Sequence, residues 1–242
     1  MQFWSLRGST PYAEAKALQL KLVELRAADR IPDTFLFLEH DPVVTRGRGL
    51  QQTRERDGLR HMPLPALPPG ISFSETERGG DLTYHGPGQL VMYPICKLDG
   101  RGFGADHDVT GFLRSLEGVL IATLREWGIE GQAREEATGV WVGQRKVASI
   151  GIAVRKWVTY HGIALNCVND LKPFHLISPC GFSPEIMTRV SDLRPELGWQ
   201  GSSLWRTEAE RALAREIGGE YARVESYDGV GIPRFSAPEP RL

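Results

Sequence analysis

Apolar residues recur at helical spacing at Tyr12, Ala15, Leu18, Leu22 and Leu25, which predicts an amphipathic helix. Thr10 and Pro11 stand just before it, so the threonine is expected as its cap and the proline as its first residue. A second helix is expected after Asp108, with Phe112, Leu116, Val119, Leu120, Leu124 and Trp127 buried and Gly128 at its end. Residues 34–39 and 90–95 read as strands, the second one buried, and 139–142 as a short strand. Residues 147–154 and 158–165 read as a hairpin about Arg155-Lys156-Trp157. Ser183-Pro184 marks a short helix, and Thr207 with Glu210 a capping box for another. Residues 46–60 read as a polar loop, and the four prolines within 62–70 exclude a helix or central strand there. The tail beyond Gly229 is rich in proline and polar groups. Helices alternate irregularly with strands and hairpins, which predicts an α+β fold: a mixed or antiparallel sheet with flanking helices. Nothing divides the middle of the chain, so one domain is expected over residues 1–228, with a loose tail over 229–242.

Composition narrows the class. The chain has 242 residues, 41% hydrophobic and 24% charged, with a net charge of −1. That suits a soluble enzyme and gives no reason to expect binding to nucleic acid or membrane. The first residues carry no signal-peptide pattern, and no apolar run approaches a membrane span. Three scattered cysteines, Cys96, Cys167 and Cys180, favour reduced thiols in a cytoplasm over a disulfide scaffold. No Cys-x-x-Cys or His-x-x-x-His pair occurs, so no metal is expected.

The candidate chemistry begins at Arg78-Gly79-Gly80-Asp81-Leu82-Thr83-Tyr84-His85-Gly86-Pro87-Gly88-Gln89. Its glycines let backbone N–H groups approach a ligand, and Arg78 adds a forked cation. Three further blocks follow: Lys146-Val147-Ala148-Ser149-Ile150-Gly151, His161-Gly162-Ile163-Ala164-Leu165-Asn166 and Ser178-Pro179-Cys180-Gly181. Leu38-Glu39-His40-Asp41-Pro42-Val43 is a weaker fifth.

In this order the blocks resemble the octanoyltransferases of lipoate biosynthesis. The resemblance implies the fold shared with the catalytic domains of biotin and lipoate protein ligases. It implies transfer of an octanoyl group from octanoyl-acyl carrier protein to a lysine of lipoyl domains, such as those of 2-oxoacid dehydrogenase complexes. The acyl group would travel on the carrier's phosphopantetheine, and no cofactor of the enzyme's own is implied. Cys180 would be the nucleophile, and Lys146 the group that lowers its pKa.

The residues read by themselves fit this chemistry. A thiolate exchanges one acyl–sulfur bond for another and then waits for an amine. On a regular strand Lys146 shares a face with Ala148, Ile150, Ile152 and Val154, where desolvation would favour the neutral amine. The opposite parity carries Ser149, Gly151 and Ala153, and the next strand offers Gly162 and Ala164. These small residues either floor an acyl slot or admit a close-packed neighbour. Residues 78–85, 149–151 and 162–164 are therefore the candidate substrate-binding segments. The Gly79-Gly80 backbone and the backbone near Gly181 are candidate donors to the acyl carbonyl. His85 and His161 serve either as supporting groups or in backbone hydrogen bonds. The arginines of 46–60 are a candidate carrier-docking patch, although Glu55 and Asp57 dilute it. Three rivals remain: an ATP-dependent lipoate or biotin-type ligase, a non-catalytic acyl-binding protein, and a cysteine hydrolase using His161 or His175.

Overall fold

The computed structural model describes residues 1–49, 67–104, 106–135, 137–177 and 184–218. A seven-stranded sheet forms its centre, in the order β1-β2-β6-β10-β9-β8-β7. The strands are β1 (Gln2–Thr10), β2 (Thr34–His40), β6 (Gln89–Ile95), β7 (Gln132–Ala133), β8 (Gly139–Val142), β9 (Arg145–Arg155) and β10 (Val158–Asn166). β1 and β2 run parallel, and every other neighbouring pair is antiparallel. A smaller sheet, β4-β3-β5, holds β3 (Val43–Arg46) between β4 (Ser72–Glu75) and β5 (Leu82–His85). The expected mixed sheet with flanking helices is thus observed.

Strand alternation places a core on each face of the large sheet. Phe35 and Phe37 of β2, with Leu90 and Met92 of β6, join one apolar cluster; Leu36, Leu38, Val91 and Tyr93 join the other. Helix α1 (Tyr12–Ala27) covers the second face through Leu18, Leu22 and Val23. Helices α2 (Val109–Glu126) and α4 (Leu204–Ile217) cover the first, and a short helix α3 (Val190–Leu193) precedes α4. A strand buried on both faces reads as a continuous apolar run, which is why β2 and β6 are legible in the sequence.

Several expectations need correction. Thr10 does not cap α1. It stays in β1, where its carbonyl accepts from His40 Nδ1 at 2.9 Å and from the Asp41 N–H at 3.3 Å, and Pro11 is the flanking residue. Thr207 lies inside α4, which begins three residues earlier; Glu210 accepts from Ser5 Oγ at 2.7 Å and Arg206 Nε at 2.9 Å. Arg46 ends a strand and does not open a loop. The expected cap at Asp108 is present, accepting from the Gly111 N–H at 2.7 Å, and Gly128 follows α2 at φ +68°. The proline-rich 62–66, Ser183 and the tail lie outside the described residues, as do Arg54, Glu55, Arg56, Asp57 and Arg60.

Candidate active site

The β9–β10 hairpin is the floor of the site. Its turn residues Lys156 and Trp157 both have positive φ, +54° and +58°, the twist that a two-residue hairpin turn requires. In the resulting register Ser149 faces Ala164, Gly151 faces Gly162 and Ile150 faces Ile163. The small residues lie opposite one another, and what each would meet is specific. A Cβ on Gly162 would collide with the Met92 carbonyl and the Pro94 ring of the neighbouring strand. A Cβ on Gly151 would stand 2.9 Å from the Gly79 carbonyl oxygen and 3.3 Å from Arg78 Cδ. Gly162 therefore admits β6, and Gly151 admits the crossing of the 78–81 loop.

That loop crosses because β9 outruns its outer neighbour. β8 pairs with β9 only as far as Gly139↔Ser149. Beyond that point the edge is open, and Gly79 N–H donates to the Ile152 carbonyl at 3.0 Å. Gly79 is thus not an available donor for an acyl carbonyl.

Arg78 is buried and fixes the loop from within. Its Nη1 donates to Gly79 O at 3.0 Å, and its Nη2 to Thr45 O and Thr45 Oγ1, both at 2.9 Å, and to Asp81 O at 2.8 Å. The forked cation read as a ligand group is occupied in stitching the loop to β3. Gln89 does similar work after β5. Its Nε2 donates to Tyr84 O at 3.2 Å and Asn166 Oδ1 at 2.9 Å, and its Oε1 accepts from His85 Nδ1 at 2.8 Å. Asn166 Nδ2 donates to Thr188 O at 3.0 Å, and Thr188 N–H donates to Lys146 O at 3.0 Å. One buried network thereby joins the Gly-rich block, the His-Gly-x-Ala-x-Asn block and the lysine block.

These elements enclose a cavity of about 570 Å³, within the size range of small-molecule sites. Val109, Leu113, Ile150, Ile152, Ile163, Ile186 and Met187 give it apolar walls, and Arg78 to Thr83, His85, Ser149, Gly151, Gly162 and Ala164 also line it. Tyr84 does not; its ring packs edge-on against Phe174 with centroids 5.6 Å apart. All the other predicted binding residues reach the cavity.

Lys146 lines it too and is 6% exposed. It does not share the face of Ala148, Ile150 and Ile152 by alternation, because β9 carries a bulge: Val140 pairs with Ala148 but Trp141 pairs with Lys146. The extra residue, Val147, joins Ala148 in the same core, and the bulge re-aims the lysine. Nζ donates to Thr138 O at 2.8 Å and lies 5.4 Å from the centre of the Trp141 ring. Met187 pairs with Lys146 from the segment that follows the Pro-Cys-Gly block. Ser178, Pro179, Cys180 and Gly181 themselves lie outside the described residues. Cys96 and Cys167 are fully buried in the large core, where desolvation pushes both thiols up.

A cluster of aromatic and imidazole side chains forms another part of the wall. Tyr12, Tyr93, His85 and His161 line the cavity, with His40 behind them. His40 donates through Nδ1 to Thr10 O, and its Nε2 lies 2.6 Å from Tyr93 OH, from which it accepts when the ring is neutral. Burial lowers its pKa to about 4. His161 is lowered to about 4 by burial and by Arg78, although Glu77 Oε2 lies 3.5 Å from its Nε2. His161 also has φ +58° within a strand, held there by a 2.7 Å bond from its N–H to Gln19 Oε1. His85 is held well below its ordinary value, first by burial and then by His40. Sequence reasoning missed Tyr93 and assigned Tyr12 to packing alone; both sit on apolar stripes, and only the fold turns them toward the cavity.

The model of the lipoyl protein ligase A/B catalytic domain family matches residues 11–215. The chain belongs to that family. A Thermobifida fusca protein named octanoyltransferase is 42% identical over 233 residues, 93% of this chain and 92% of its own. An octanoyltransferase of Syntrophobacter fumaroxidans is 40% identical, covering 86% and 85%; one of Syntrophotalea carbinolica is 46% identical, covering 77% and 81%. The chain is accordingly an enzyme of the acyltransferase class. A lipoate-protein ligase A bound with ATP shares the fold, with a TM-score of 0.62 at 17% identity over 95% of this chain and 91% of that one. A putative lipoate protein ligase from T. acidophilum does so with a TM-score of 0.59 at 17% identity, covering 95% and 90%. Among the described residues no helix is long and apolar enough to cross a membrane.

Proposed function

We propose that this chain transfers an octanoyl group from octanoyl-acyl carrier protein to a lysine of lipoyl domains, in the cytoplasm, through a thioester on Cys180. The observation that carries the reading is Lys146: an amine buried in the wall of an apolar cavity, paired through its backbone with the segment that follows the Pro-Cys-Gly block. Lys146 accepts the thiol proton, and the thiolate attacks the octanoyl thioester carbonyl. The carbonyl re-forms as the phosphopantetheine thiolate departs and takes a proton, leaving octanoyl on sulfur. The amine of the recipient lysine then displaces the sulfur, giving an amide and the free thiol. The names of the relatives, octanoyltransferase, support the eight-carbon group. With the Gly79 N–H already bonded, the Gly80 N–H and the backbone near Gly181 remain the candidate donors to the carbonyl oxygen.

Intact-mass measurement after mixing with octanoyl-acyl carrier protein tests this reading without ATP. An octanoyl adduct is expected, removed by hydroxylamine, absent in Cys180→Ser and passed to a lipoyl-domain lysine. A requirement for ATP, or release of free octanoate without an adduct, would sink it.

A further inference from the structure

Glu117 sits on the buried face of α2, 1% exposed, among the apolar side chains that meet the sheet. Its Oε1 accepts from the Gly139 N–H at 3.0 Å, and its Oε2 accepts from Arg114 Nη1 at 2.7 Å. The Gly139 nitrogen and the Thr138 carbonyl belong to one peptide group. That carbonyl is the acceptor of Lys146 Nζ at 2.8 Å. A single amide therefore stands between a buried carboxylate and the buried amine.

Hydrogen bonds in such a chain reinforce one another. An anion at the N–H end of an amide draws negative charge onto its oxygen, which then binds a cation more strongly. The local backbone is shaped for this. Gly139 has φ +131°, and a Cβ there would lie 2.6 Å from Lys146 Cε, so only glycine lets the peptide approach the amine's stem. Arg114 pairs with the outer oxygen of the carboxylate, and the inner oxygen is left to the Gly139 N–H.

We infer that Glu117 is a positioning residue for Lys146, acting through the Thr138–Gly139 peptide to hold the amine at the cavity wall and to favour its ammonium form. This rests on Lys146 as the activating amine proposed above. The thiol proton would then arrive at a site whose positive charge is already offset. Among the described residues, Trp141 of β8 and Met187 and Thr188 of the paired segment also face Lys146, with Arg114 beyond the carboxylate; Cys180 is its proposed partner.

The full chain carrying Glu117→Gln keeps an acceptor for Gly139 and loses the charge. Its kcat should fall about tenfold with KM for octanoyl-acyl carrier protein unchanged, the equivalent of one charge-assisted hydrogen bond. In ¹⁵N NMR, Lys146 Nζ should titrate at lower pH than in the parent. A second measurement needs no variant at position 117. The Gly139 amide proton of the parent should titrate with the same midpoint as Lys146 Nζ, and in Lys146→Met that titration should vanish. Unchanged titration in Glu117→Gln, whether or not kcat falls, leaves only a structural role and overturns the inference. So does a Gly139 amide that ignores Lys146. These NMR readouts stand whether or not Cys180 carries an acyl group, so failure of the thioester reading is seen separately, as a missing mass adduct.

Discussion

Individual side chains in this site are mostly held in place by neighbours that do no chemistry. Arg78 illustrates the point: its guanidinium reaches three carbonyls and one hydroxyl, and so converts a glycine-rich loop into a fixed wall. The histidines carry a consequence for acid stability. His40 and His161 have folded-state pKa values of about 4, and His85 is lowered as well, whereas an unfolded histidine titrates near ~6.5. As pH falls through that interval the unfolded chain takes up protons first, so stability is level above ~6.5 and declines toward ~4. Urea midpoints measured at about pH 7.5 and about pH 5 should show a clear drop. A midpoint that does not move would mean these imidazoles are not buried as described.

At the level of elements, the β9–β10 hairpin determines most of the geometry. Gly151→Ala is expected to push the 78–81 loop off the strand, because the new methyl would stand 2.9 Å from Gly79 O. Overpacking of this kind costs about 1–3 kcal/mol, and acylation should suffer more than melting temperature; a rate equal to the parent's would show that the loop crossing is not needed. The hairpin was legible because its apolar residues alternate on either side of a polar turn. The bulge at Val147 was not, since nothing in Lys-Val-Ala-Ser distinguishes a bulged strand from a regular one, and with it went the expected face of Lys146. Strands β1, β3 and β4 were missed for a related reason. Gln2-Phe3-Trp4-Ser5-Leu6-Arg7 mixes polar and apolar positions, β3 is four residues long, and Ser72-Phe73-Ser74-Glu75 offers one apolar side chain. Short strands take their identity from partners, which a single sequence does not display. Glu117 was invisible in the same way: a carboxylate within an amphipathic helix looks solvated until the facing peptide is known.

On the scale of the molecule, the two ends of the described chain meet behind the site. Arg206 of α4 donates to Glu39 Oε1 at 3.0 Å and to the Leu6 carbonyl, and Glu210 accepts from Ser5. Glu39 in turn accepts from the Gly88 N–H at 2.7 Å, so α4 braces the glycine-rich turn through one carboxylate. Arg206→Leu would leave the buried Glu210 and the half-buried Glu39 without their cation and should cost about 3 kcal/mol in urea unfolding; a loss below about 1 kcal/mol would show that the brace is only a surface contact. This arrangement also sets an order of events during synthesis. A nascent chain still missing residues beyond 203 already holds every block of the site, yet lacks the helix that secures the turn after β5. Competence to accept an acyl group would thus wait on a segment synthesised after all of those blocks.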